Sequence, residues 1–237
     1  MNFFPHYIEP LGDHALIIRF VDLINDSVHQ QILFLFQQLQ KQPVTGMLDL
    51  IPAYTSLAVV YDVMVVNKEA PAFSAYQYIK KQVENLMEKS DWSFELRKRI
   101  IRIPVCYDSS FGIDLEEMAA QKRMSTDKIV RLHTETSYHV YMIGFLPGFA
   151  YMGIVDAQIA MPRKNSPRQK VPAGSVGIAG KQTGVYPFDS PGGWNIIGKT
   201  PLQMFNKNSK EPCLLQPGDE IIFEPVSLQE FENIKNS

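Results

Sequence analysis

Residues 193–200, GWNIIGKT, match G-x-x-x-x-G-K-[ST], the spacing at which glycine amides, a lysine and a hydroxyl cradle phosphates. Such a loop works only between a buried parallel strand and a helix, where loop amides and a helix N-terminus converge on the anion. Here Trp194, Asn195, Ile196 and Ile197 form a β-forming run, SPGG before them reads as a turn, and Pro201 follows Thr200. The stretch therefore predicts a turn and a strand. A second fragment, AGSVG at 173–177, imitates the G-x-S-x-G nucleophile elbow with alanine in first place. No helical periodicity follows Ser175 and no histidine and acid are placed beside it, so Ser175 reads as a turn hydroxyl.

The polar residues between these turns are Arg163, Lys164, Arg168, Lys170, Lys181, Gln182, Thr183, Tyr186, Ser190 and Asn195. No acid occurs between Asp156 and Asp189, whereas Arg163, Lys164, Arg168, Lys170 and Lys181 bring five positive charges. A guanidinium pairs a carboxylate bidentately, so this asymmetry suits an anionic or carbonyl-rich ligand. The alternative is a solvated basic loop. His133 follows Ile129 by one helical turn and is either a packing histidine or, histidine being the usual acid/base near neutral pH, a proton carrier. No metal site is indicated.

Seven of the fourteen glycines lie between residues 171 and 201. In regular structure each would cost roughly 0.5 to 1 kcal/mol relative to alanine, so most must occupy tight turns or points of close backbone or ligand approach. They serve either the turns of a small barrel or a cleft lined by backbone N–H groups.

The elements that would hold these residues fall into two groups. HALIIRF (14–20), a helix over 26–42 with Val28, Ile32, Leu35 and Leu39 on one stripe, GMLDLIPAY (46–54), SLAVVYD (56–62), a helix over 73–88 and IIRIPV (100–105) read β-α-β-β-α-β, the ferredoxin-like order. The polar stretch 89–99 supplies the boundary. Beyond it come two helices, 114–123 with Asp114 and Glu117 spaced as a capping box and 125–135 capped by Ser125, then short strands with turn residues between them, including PLQMF (201–205). That pattern predicts a barrel or sandwich. The class is α+β, with domains at 1–95 and 96–237.

Composition narrows the functional classes. A formal net charge of −2 gives no reason to expect nucleic acid or an anionic membrane as partner. Cys106 and Cys213 form no CxxC pair, arguing against a disulfide framework or zinc site and for a reducing cytoplasm. The N-terminus lacks a signal-peptide pattern. Residues 136–155 are uncharged, but Gly144, Pro147, Gly148 and Gly153 interrupt them, so no membrane span is expected.

GFLPGFAYMG, PRKNSPRQKVPAGSVGIAGKQTGVYP and SPGGWNIIGKTPLQMF, with LHTETSYHVYMIGF before and LLQPGDEIIFEPV after, resemble the PxpB/KipI family, also named allophanate hydrolase subunit one, over essentially the whole chain. The resemblance implies a ferredoxin-like N-terminal domain and a cyclophilin-like β-barrel. It implies the B subunit of bacterial 5-oxoprolinase, which with subunits A and C opens 5-oxo-L-proline to L-glutamate at the expense of ATP, the ATP bound chiefly outside this chain. The same family includes an inhibitor of a sporulation histidine kinase and the carboxyltransferase half-domain of urea carboxylase. On the enzyme reading, Arg163 and Arg168 are candidates for the substrate carboxylate. Lys181, Gln182, Thr183 and Tyr186 are further candidate substrate contacts, and His133 is the candidate proton carrier.

Overall fold

Two short strands, His6–Pro10 (β1) and Ala15–Phe20 (β2), pair antiparallel with Ile8 opposite Ile18. The computed structural model describes residues 5–20, 26–92 and 99–236. The chain divides into two compact units, Met1–Arg97 and Lys98–Ser237.

In the first unit, β1 and β2 are followed by α1 (Asp26–Lys41), β3 (Met47–Pro52), β4 (Ser56–Tyr61), α2 (Val63–Glu69) and α3 (Ala75–Lys89). The strands form one antiparallel sheet in the order β1-β2-β4-β3, with α1 and α3 packed against it. The stripe Val28, Ile32, Leu35 and Leu39 is fully buried, as its three- and four-residue spacing requires. Ser74 starts α3 with a complete capping box to Gln77.

The α+β class and the packing of helices on a four-stranded sheet follow the sequence expectation; the source of one strand does not. Ile100–Val105 (β5) was expected to complete this sheet, but it pairs in parallel with a strand of the second unit, and β1 takes the edge beside β2. Alternation marks IIRIPV as a strand without specifying its partner. HYIEP escaped notice because it is short and ends in Pro10, a residue that an edge strand tolerates. The short α2 was also unforeseen: VMVVNKE favours strand by composition, yet the Asp62 carboxylate accepts from the Met64 and Val65 amides and starts a helical turn.

The second unit continues with α4 (Leu115–Lys122), α5 (Thr126–Thr134), β6 (Ser137–Ile143), β7 (Ala150–Gly153), β8 (Arg168–Val171), β9 (Ser175–Ala179), β10 (Gln182–Val185), β11 (Ser190–Gly192), β12 (Asn195–Lys199), β13 (Glu220–Pro225) and α6 (Leu228–Lys235). Seven strands run in the order β12-β9-β10-β7-β6-β13-β5. The two outer strands nearly close on one another: Cys106 and Lys199 exchange both backbone hydrogen bonds, at 2.8 and 2.9 Å. Gly198 permits that approach, since a Cβ there would stand 2.8 Å from the Cys106 carbonyl oxygen. The result is a barrel-like sheet around Ile103, Val140, Met152, Val176, Ile178 and Phe223. Residues 201–205, expected as a strand, form only the single bridge Phe205–Cys213.

All five residues of β9 are buried. One side joins the barrel core, while Ala179 belongs to a separate cluster with Phe149, Val171, Tyr186, Trp194 and Ile196. Phe149 meets Tyr186 and Trp194 edge-on, with centroids 5.3 and 5.4 Å away. Gly192 belongs to this packing, for a Cβ on it would fall on the Tyr186 hydroxyl. Close approach thus accounts for glycines in the dense stretch better than turn geometry alone.

Candidate functional site

One buried carboxylate, Asp114, gathers two cations of the basic segment 163–170 and a strand amide. Asp114 is 1% exposed and accepts two hydrogen bonds from Arg168 (2.9 and 2.5 Å), one from the Ile196 amide (2.7 Å) and an ion pair from Lys164 (2.8 Å). Burial alone would raise the Asp114 carboxyl, but Arg168, Lys164 and the Ile196 amide outweigh it and hold its pKa below the ordinary carboxylate value. The expected capping box at α4 is consequently absent: Asp114 makes no side-chain cap, and Glu117 instead binds Lys164 (2.8 Å) and Gln121 (3.0 Å). Spacing indicated a local role for Asp114; two cations and a strand amide claim it instead.

Beside this cluster lies a cavity of about 350 Å³ lined by Glu117, Gln121, Arg163, Lys164 and Asn195 among others. Arg163 is exposed and makes no hydrogen bond or ion pair among the described residues, whereas Lys164 is held by Asp114 and Glu117. A larger cavity of about 630 Å³ lies elsewhere in the second unit, against Tyr107, Leu115, Val130 and Val226. It carries Asp108 and Asp127 against a lone Arg131, the wrong balance for an anion. Of these two cavities, the smaller is the one whose charge suits a carboxylate.

His133 and Thr183 are brought together, but inside the barrel. Both are fully buried, and His133 stacks on Phe223 with centroids 4.6 Å apart. Its Nε2 lies 2.9 Å from Thr183 Oγ1 and its Nδ1 2.8 Å from the Tyr107 hydroxyl. Thr183 donates its only proton to the Gly177 carbonyl (3.1 Å), so His133 Nε2 must carry the hydrogen and Nδ1 must accept from Tyr107. Burial depresses the imidazole to about 3. This is a neutral core histidine in a satisfied chain of hydrogen bonds, and neither it nor Thr183 has a surface for substrate.

The remaining expected residues separate. Lys181 is exposed at the β9–β10 turn beside Gly180, whose φ is +61°, and Gln182 is half-buried where β10 meets Gly153 of β7. Tyr186 is 2% exposed in the aromatic cluster, its hydroxyl raised by burial against the opposing pull of the Trp194 amide. Arg168 is spent on Asp114, leaving Arg163 as the expected residue that lines the cavity unpaired. Sequence reasoning assigned no role to Tyr107 and only a local helix-capping role to Asp114, whose partners are 26 and 54 residues distant respectively. Asn195, visible only as one polar residue among many, lies in the cavity wall.

The phosphate-loop spelling is a strand. Asn195–Lys199 pairs antiparallel with β9, Lys199 Nζ lies 5.6 Å from the Phe111 ring centroid, and the Thr200 hydroxyl accepts from the Leu202 amide at 3.2 Å. No helix begins there, so these residues do not fit a nucleotide's phosphates. Among the described residues no group of His, Cys, Asp and Glu suits a metal ion, and no helix is long and apolar enough to cross a membrane.

A barrel-like sheet bearing a basic, carboxylate-anchored rim coincides with a known family: residues 6–215 match the carboxyltransferase domain, subdomain C and D, and the chain belongs to that family. Within it, the chain is 44% identical over 232 residues to the B subunit of 5-oxoprolinase from Bacillus subtilis (strain 168), covering 97% of each. It is 37% identical to the B subunit of 5-oxoprolinase from Escherichia coli O157:H7, covering 91% of this chain and 94% of the relative. Among solved structures, that of TTHA0988 superposes with a TM-score of 0.77 at 33% identity, over 90% of this chain and 40% of that one.

Proposed function

We propose that this chain is the B subunit of an ATP-dependent 5-oxoprolinase, active with subunits A and C on 5-oxo-L-proline and inactive alone. The observation that carries the reading is the 44% identity, end to end, with a protein named as that subunit. The site's chemistry is consistent with it. Arg163 offers an unpaired guanidinium for a carboxylate, whereas the buried His133 and Thr183 offer no accessible acid, base or nucleophile, so the chain holds substrate and other subunits complete the reaction. ATP is assigned to another subunit, because the core of the phosphate-loop spelling, Asn195–Lys199, is a strand and no helix follows it. A cytoplasmic location accords with the absence of any disulfide requirement between Cys106 and Cys213, both free.

The test is reconstitution. The chain mixed with subunits A and C should release glutamate from 5-oxo-L-proline only when ATP is present, and each subunit alone should release none. Absence of release from the three-subunit mixture would end the reading.

A further inference from the structure

Asn195 is 4% exposed, and both of its side-chain amide hydrogens are committed: Nδ2 donates to the Pro162 carbonyl at 2.9 Å and to the Ile178 carbonyl at 3.1 Å. Two flanking carbonyls fix which end of the amide is nitrogen, since an oxygen there would face two acceptors. Its Oδ1 accepts from no protein donor among the described residues. Every fully enclosed side-chain polar atom described has a partner, so this oxygen is not enclosed; it opens where Asn195 lines the 350 Å³ cavity. A rigidly oriented acceptor therefore stands in the same small wall as Arg163. The cavity lies within the roughly 300–1,000 Å³ range of small-molecule sites.

We infer that this cavity is the binding site for a small cyclic amide bearing a carboxylate, with Asn195 Oδ1 accepting the ring N–H and Arg163 pairing the carboxylate. The inference rests on the 5-oxoprolinase reading for the identity of the ligand, and adds where it binds and which atom reads its N–H. Asn195 is then a specificity residue: a ring oxygen in place of N–H would set a lone pair against Oδ1. Asp114 is a positioning residue, because it binds the amide of Ile196 and the side chain of Lys164, the residues that follow Asn195 and Arg163, and also holds Arg168.

The experiment is direct binding to the full chain together with subunits A and C, by calorimetric titration with three ligands. These are 5-oxo-L-proline, 2-pyrrolidinone (no carboxylate) and 5-oxotetrahydrofuran-2-carboxylate (ring oxygen for N–H). Arg163→Gln, at an exposed position that leaves the fold intact, should weaken 5-oxo-L-proline about 10-fold or more and leave 2-pyrrolidinone within about 2-fold. Asn195→Ala should weaken the two lactams about 10-fold but spare the lactone acid, with the melting temperature recorded to separate misfolding from lost recognition. Wild-type binding that both substitutions leave unchanged, or no binding at all, overturns the site. Binding that depends on Arg163 without glutamate release would sustain the site and refute the enzyme reading.

Discussion

Arg168 and Asp114 form a two-point ion pair, Nη1 to Oδ2 at 2.9 Å and Nη2 to Oδ1 at 2.5 Å, with the carboxylate buried and the guanidinium part-exposed. The same carboxylate also holds Lys164 and the start of β12, so one acid joins α4, the basic segment and the barrel edge. Replacing Asp114 by Asn leaves two cations facing a neutral group. Removing one member of a buried pair costs about 3–5 kcal/mol; because Arg168 and Lys164 can turn to water, the lower end is expected. At about 2–4 °C per kcal/mol for a domain of this size, Asp114→Asn should lower the melting temperature by roughly 6–12 °C, read by calorimetry. A change under about 2 °C would show that solvent already screens the cluster.

His133 makes stability fall on mild acidification. Its folded pKa is about 3, below the ordinary 6.5. Between those values the unfolded chain binds a proton that the folded chain refuses, so stability rises with pH across the window and is lost as pH falls from about 6.5 towards about 3. The slope approaches about 1.4 kcal/mol per pH unit. Urea midpoints at pH 7.5 and 5.5 should therefore differ more in the wild type than in His133→Gln, which removes the proton. Asp114, whose folded pKa is depressed, contributes stability lost only as pH falls below the ordinary carboxylate value, so it does not enter the comparison between pH 7.5 and 5.5. Equal pH dependence in both proteins would mean that His133 is not buried neutral.

Periodicity made the helices legible, because a stripe such as Val28, Ile32, Leu35 and Leu39 records burial at a fixed spacing. The strand pattern of IIRIPV was equally legible, but which sheet it joins depends on β13, which follows it by more than a hundred residues and leaves no mark on alternation. The site behaved the same way. Arg163 stood out by charge, and it alone among the expected contacts faces the cavity unpaired. Arg168 stood out equally, yet its partner Asp114 lies 54 residues earlier and reads locally as a helix cap. His133 and Thr183 are polar by type and buried by position, and only a network closed by Tyr107 and the Gly177 carbonyl makes that tolerable.

Adjacent glycines should respond oppositely to a methyl group. In Gly192→Ala the new Cβ falls on the Tyr186 hydroxyl, and Tyr186 is confined by Phe149 and Trp194. Overpacking of this kind costs typically about 1–3 kcal/mol. In Gly193→Ala the nearest atom is 3.6 Å away, an ordinary contact. Denaturant midpoints should drop for the first and stay near wild type for the second. If both are tolerated, the aromatic cluster is looser than its edge-on geometry implies.

Lys199 decides whether the phosphate-loop spelling has any functional weight. In a working loop the lysine contacts the phosphates, and its loss removes nucleotide binding. Here the ammonium sits over Phe111 while its backbone exchanges hydrogen bonds with Cys106, contacts that belong to barrel closure. Lys199→Ala keeps the backbone bonds and removes a part-exposed cation–π contact, worth about 0.5–1 kcal/mol. ATP affinity of the assembled subunits, measured by titration, should remain within about 2-fold of wild type, with a melting temperature a few degrees lower at most. A large loss of ATP affinity with the fold intact would make residues 193–200 part of a nucleotide site despite their strand geometry. It would also return the ATP to this chain.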